Sequence, residues 1–168
     1  MTDAATQIEA IGSNFRTAMR GYPATVNIIT SRHNEVDHGM TATAVTSVTM
    51  DPPSMLVCLN KQTYLHEMLL CQPVFAVNVL AQRQHELSDA FSGKLSPQER
   101  FSLGQWQRHS AGVLTLSDAH ARVVCRRAAA IPYGTHTIFI GEVIDVAMAD
   151  ASRPLLYEDA RYCGSHPA

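Results

Sequence analysis

The feature that most constrains this chain is a succession of short β-branched runs, set apart by turn residues and never alternating regularly with helices. ATVNIIT (24–30), the stretch 39–50, MLVCLN (55–60), VFAVNVL (74–80), VLTLSDAHARVVCRRAAAI (113–131), THTIFIGEVIDVAMA (135–149) and PLLY (154–157) all read as strands, about seven in total. Without βαβ alternation a doubly wound parallel sheet is disfavoured, and hairpin-linked strands closing toward a barrel remove sheet edges. The expected fold is mainly β with inserted helices. Its 168 residues suit one domain, 1–168.

Helices are expected in few places. Ile8, Ile11, Phe15, Ala18 and Met19 recur at helical spacing, and Gly21 and Pro23 stop that helix. TYLHEMLL (63–70) forms a second helix ending before Pro73, and QRQHELSDAF (82–91) a third that frays into SGKLSP. ERFSLGQW (99–106) reads as a short helix or turn, SRHNEVDHG (31–39) as a polar turn, and the residues after PLLY as a polar tail.

Composition excludes several functions. Thirteen basic and 15 acidic residues give a net charge of −2 with no long run of either sign, so no basic face for nucleic acid is expected. No apolar run reaches the roughly 18 residues of a membrane helix, and the N-terminus lacks a charged-then-apolar signal pattern. A cytoplasmic protein is expected. The cysteines at 58, 71, 125 and 163 form no CxxC pair and read as free thiols. GxG fingerprints, P-loops, nucleophile elbows and zinc helices are absent from the sequence. An enzyme of this kind leaves the hard chemistry to a bound organic cofactor.

The stretch GMTATAVTSVTMDPP (39–53) is unusual for a strand, because small and hydroxyl side chains replace bulky apolar ones. Thr41, Ala42, Thr43, Ala44, Ser47, Val48 and Thr49 leave the backbone approachable to a flat ring, and their hydroxyls turn to suit it. The following NKQT, Asn60, Lys61, Gln62 and Thr63, opens a helix whose free N–H groups suit a phosphate. The same residues also fit a plain β-favourable strand and a plain helix cap, and the pattern alone leaves both open.

Six segments in order narrow the choice: FRTAM, ATVNIITS, GMTATAVTSVTMDPPSMLVCLNKQ, FAVNVLAQRQHELSDAFSG, ERFSLGQW and GTHTIFIGEV. Together they resemble the flavin reductase-like family, and within it the small reductase components of two-component flavin-dependent monooxygenases. The resemblance implies a split β-barrel of the FMN-binding, Greek-key type, a homodimer, and NADH- or NADPH-dependent reduction of FMN or FAD. Reduced flavin then passes to a separate monooxygenase. It places the flavin ring along Thr41 to Thr49, with Phe75, Ala76 and Asn78 bordering it and Asn60 to Thr63 at its phosphate end. Arg100 matches the family's Arg-Phe, His136 is implied beside the nicotinamide, and Tyr162 in the short tail is a further nicotinamide contact. A flavin-binding module without turnover, and a same-fold flavin oxidase acting on a small amine, are the alternatives. Thr63 is the only hydroxyl directly after Asn60-Lys61, where family members carry more.

Overall fold

A computed structural model describes residues 2–150 and 152–165, with side chains from residue 6 onward. Among the described residues the chain forms twelve strands. Seven build one antiparallel sheet. In chain order these are β2 (Asn27–His33), β3 (Val36–Ala42), β4 (Val45–Met50), β5 (Pro53–Asn60), β6 (Val74–Val79), β9 (Ala121–Tyr133) and β10 (His136–Met148). The spatial order is β3-β2-β6-β9-β10-β5-β4. The two edges, β3 and β4, follow one another in the chain, yet no ladder joins them. The barrel is therefore split, and the chain crosses the split at Thr43-Ala44. This corrects the sequence expectation of a single strand from Gly39 to Met50.

The remaining strands cover the ends. β1 (Ala24–Thr25), β11 (Leu155–Glu158) and β12 (Arg161–Gly164) form a small sheet in the order β1-β11-β12, and β7 (Trp106–Arg108) pairs with β8 (Leu114–Leu116). The residues after PLLY, expected as a polar tail, form a turn and then β12 through Gly164. The expected polar turn between the first two long strands shrinks to Asn34-Glu35, both at positive φ (48° and 64°). That backbone matches the twist of a two-residue hairpin.

β2 is buried from Asn27 to Ser31 and β6 from Phe75 to Asn78, so both faces of each are covered there and their few polar residues find partners inside. Ile29, Phe75 and Val77 join Val57, Leu59 and Phe139 in one core, capped by α2 (Tyr64–Cys71) through Leu65, Met68 and Leu69. Ile28 points the other way, into a second core with Leu87, Phe91, Leu116 and Leu155. Strand alternation alone divides the residues between the two cores. α3 (His85–Asp89) continues as a π-helical turn, Ala90–Lys94, and α4 (Pro97–Arg100) starts on a Ser96/Glu99 capping box.

The long β9–β10 hairpin changes register at Ile140/Gly141 and at Val143/Asp145. Such bulges bend a ribbon, which lets β10 pair with β5. At Gly141 an added Cβ would lie 2.6 Å from Phe75 Cζ and 2.7 Å from Cys125 Cβ, so only glycine fits. α1 (Thr2–Arg20) carries the expected apolar stripe, but its face is open: Ile8, Ile11 and Phe15 are 70%, 61% and 64% exposed.

Candidate functional site

The break between the two edge strands organises the site. Val45 N–H bonds Thr43 O and Cys58 N–H bonds Ala44 O, each at 2.9 Å, so the crossing is held by its own small residues. Edge strands keep one side of their backbone polar groups free. Three adjoining cavities of about 510, 390 and 240 Å³ share Thr43 as a lining residue. The largest runs toward α1, past Arg16, Arg20, Tyr22 and Tyr157. The second includes Ala44, Val45, Thr46 and Leu56. The smallest is lined by Thr41, Ser88, Asp89, Ser92 and Tyr162.

The polar end of this groove is an ordered network. Thr41 Oγ1 donates to Ser88 O at 2.7 Å. The Tyr162 hydroxyl donates to Asp89 Oδ1 at 2.7 Å and lies 3.0 Å from Ser88 Oγ, whose hydroxyl can donate back to it, and Lys94 Nζ donates to Asp89 Oδ2 at 2.7 Å. Hydrogen bonds from Lys94 and then Tyr162 hold the Asp89 carboxyl below the usual carboxylate range, so it is anionic at neutral pH. Burial pushes the Tyr162 phenol up, so it stays protonated and remains a donor.

A second cluster forms a ridge where the β9–β10 turn meets the β5–α2 turn. His136 pairs in register with Asn60. Lys61 Nζ donates to Gly134 O at 2.8 Å, and Lys61 N–H to Thr135 O at 3.0 Å. Asn60 Oδ1 accepts the Gln62 N–H at 2.9 Å; Thr63 Oγ1 donates to Asn60 O at 2.8 Å and accepts the His66 N–H at 3.3 Å as the α2 N-cap. His136 is exposed, its Nδ1 2.9 Å from Thr135 Oγ1. Asn60 lies two residues beyond Cys58, which bonds the crossing, so ridge and groove are about 7 Å apart along β5.

Other candidates fall elsewhere. Phe75, Ala76 and Asn78 are each 0% exposed, and none of them offers side-chain surface to a ligand. Asn78 is spent inside: its Nδ2 donates to Ile28 O at 3.0 Å and its Oδ1 accepts the Leu116 N–H at 2.8 Å. Among the described residues Arg100 bonds backbone carbonyls. It donates to Leu95 O at 2.8 Å and Gly39 O at 3.1 Å, tying α4 to β3. Ser47, Val48 and Thr49 are exposed on the edge strand β4 but line none of the three cavities. Ala42 ends β3, its carbonyl accepting from Asn27 Nδ2 at 3.3 Å. Burial and then Arg100 keep His38 below its ordinary value, its ring 5.0 Å from that of Tyr64.

Sequence reasoning passed over Ser88, Asp89, Ser92, Tyr157 and Arg16, although Ser88, Asp89, Ser92 and Arg16 stand within HELSDAFSG and FRTAM. A flat ring with polar edges fits the groove on three counts. The crossing is built from small residues, free edge backbone flanks it, and fixed hydroxyls close one end.

Comparison with known proteins agrees with this geometry. Residues 19–166 match the model of the flavin reductase like domain. The chain is 62% identical over 162 residues to the reductase component of an FADH2-dependent resorcinol hydroxylase from Rhizobium sp. (strain MTP-10005), covering 95% of this chain and 90% of that one. It is 40% identical to an FMN reductase (NADH) of Variovorax paradoxus (strain S110), covering 89% and 83%. The NADH:FAD oxidoreductase of Streptomyces globisporus C-1027, solved with NAD and FAD fragments, superposes with a TM-score of 0.85 at 29% identity, covering 91% and 92%.

Proposed function

The chain belongs to the flavin reductase like domain family, and on that premise we propose that it is an NAD(P)H:flavin oxidoreductase, the reductase component that supplies free reduced flavin to a separate monooxygenase. The observation that carries this is the convergence of three cavities on Thr43, at a crossing made of small residues between two open strand edges. A bound flavin supplies a two-electron acceptor for hydride from a reduced nicotinamide. The chain binds and orients. The β3–β4 crossing receives the ring edge, Thr41 and Thr43 face the groove, and the ridge of Asn60 to Thr63 faces the ribityl chain. His136, exposed at the hairpin tip, stands where a nicotinamide approaches. Preorganised donors at a fixed strand edge orient two rings without a protein nucleophile.

The partner flavin is FAD and the donor NADH in this proposal. Support comes from the FADH2-dependent system of the 62%-identical relative and from the NADH named for the Variovorax enzyme. The open apolar face of α1 suits a second copy of the chain, and we assign a homodimer. No described helix is long and apolar enough to cross a membrane. We place the enzyme in the cytoplasm, with the reduced nicotinamide it consumes.

The test is a steady-state matrix of FMN and FAD against NADH and NADPH. NADH oxidation that saturates with added free flavin supports the proposal, with the best kcat/KM for FAD and NADH. Flavin bound without NADH oxidation refutes turnover, and oxidation of an organic amine on non-exchanging flavin refutes the reductase assignment. Light scattering on the purified protein reads the dimer.

A further inference from the structure

The cations near the groove differ in what they are already doing. Lys61 is tied to the Gly134 carbonyl, Lys94 to Asp89, and Arg100 to two backbone carbonyls. Arg20 pairs with Asp159 at 3.4 Å, an exposed contact worth little. Arg16 lines the largest cavity, and among the described residues its guanidinium has no partner. Arg16 and Arg20 stand four residues apart on α1, which sets them on one helix face. Met19 and Tyr22 between and beyond them floor the same cavity.

The far end of the groove has the opposite character. Asp89 is held as a carboxylate beside Ser88, Ser92 and the Tyr162 hydroxyl, a set that accepts neutral hydroxyls and repels phosphate. The α2 N-terminus on the ridge has also committed donors: the Gln62, Thr63 and His66 N–H groups all bond within the turn. Among the described residues the groove is thus polarised, with one unpartnered guanidinium at its widest end.

We propose that Arg16, with Arg20 beside it, forms an anion subsite that binds a phosphate of one of the two nucleotides, flavin or nicotinamide, at the α1 end of the groove. The proposal rests on the reductase reading above. A guanidinium matches phosphate geometry with paired N–H donors and stays charged at every working pH.

Arg16→Gln tests it, because Arg16 is exposed on a helix and glutamine keeps helix propensity. Two ligand pairs separate the sources. Binding of FMN and of phosphate-free riboflavin is read by flavin fluorescence. The KM of NADH and of a phosphate-free N-benzyl dihydronicotinamide is read by absorbance. Loss of one charge-assisted contact is expected to weaken one phosphate-bearing ligand by about tenfold, leaving its phosphate-free analogue unchanged. Loss for FMN assigns the subsite to flavin, and loss for NADH to the nicotinamide. Equal losses for a ligand and its analogue, or no loss in either pair, overturn the subsite alone. A wild-type protein that binds no flavin overturns the reductase reading and the subsite with it.

Discussion

Asn78→Ala is expected to act on stability and to leave flavin affinity unchanged. Asn78 is fully buried between the two cores and bonds Ile28 O, Thr30 Oγ1 and Leu116 N–H. Truncation orphans the buried Leu116 N–H at the end of β8, which costs about 1–3 kcal/mol. Two acceptors lose a donor and a small void opens, adding about 1 kcal/mol. A total near 3 kcal/mol lowers Tm by about 6–12 °C in a chain of this size. Thermal unfolding by circular dichroism at fixed protein concentration reads the shift, and fluorescence titration at low temperature reads the flavin Kd of the folded protein. An unchanged Tm with weakened flavin binding would refute the assignment and return Asn78 to the flavin site.

Three further outcomes follow from the same packing. Gly141→Ala places a methyl within 2.7 Å of Phe75 and Cys125; it should cost about 1–3 kcal/mol, and an unaltered denaturant midpoint would show that the hairpin moves freely. Burial pushes the Cys125 thiol up to about 12, so a disulfide-exchange reagent at mild alkaline pH should modify exposed Cys71 in the native protein and Cys125 only after denaturation. Burial, with Lys61 adding and Glu67 opposing, holds His66 below its ordinary 6.5. Neutral His66 therefore contributes stability that is complete above pH 6.5 and is lost as pH falls toward the folded value. His66→Gln should flatten the decline of Tm on that acid side, and an identical pH profile would remove His66 as its source.

Much of the fold lies in local signals. Alternation in THTIFIGEV, the largely apolar run of VFAVNV and the Gly21-Pro23 stop each act over a few residues, and each element forms where its pattern stands. The family resemblance was legible for the same reason, since ordered motifs survive in the linear text. The crossing at Thr43-Ala44 was not legible as a break. Its cause is the distant pairing of β2 with β6 and of β5 with β10, which sets the β2–β3 and β4–β5 hairpins at opposite ends of one sheet and makes one continuous stretch serve two edges.

The site divides along the same line. The sequence alone determined a β-rich chain with small, hydroxyl-bearing residues at 41–49 and a capped turn at 60–63, because backbone preference and capping are short-range effects. Tertiary structure decided which of those side chains face outward. Thr41 meets Ser88 47 positions away, and Asn78 turns inward to Leu116 38 positions away. A buried amide must find partners wherever the fold supplies them, and only the closed packing of distant strands fixes where they are.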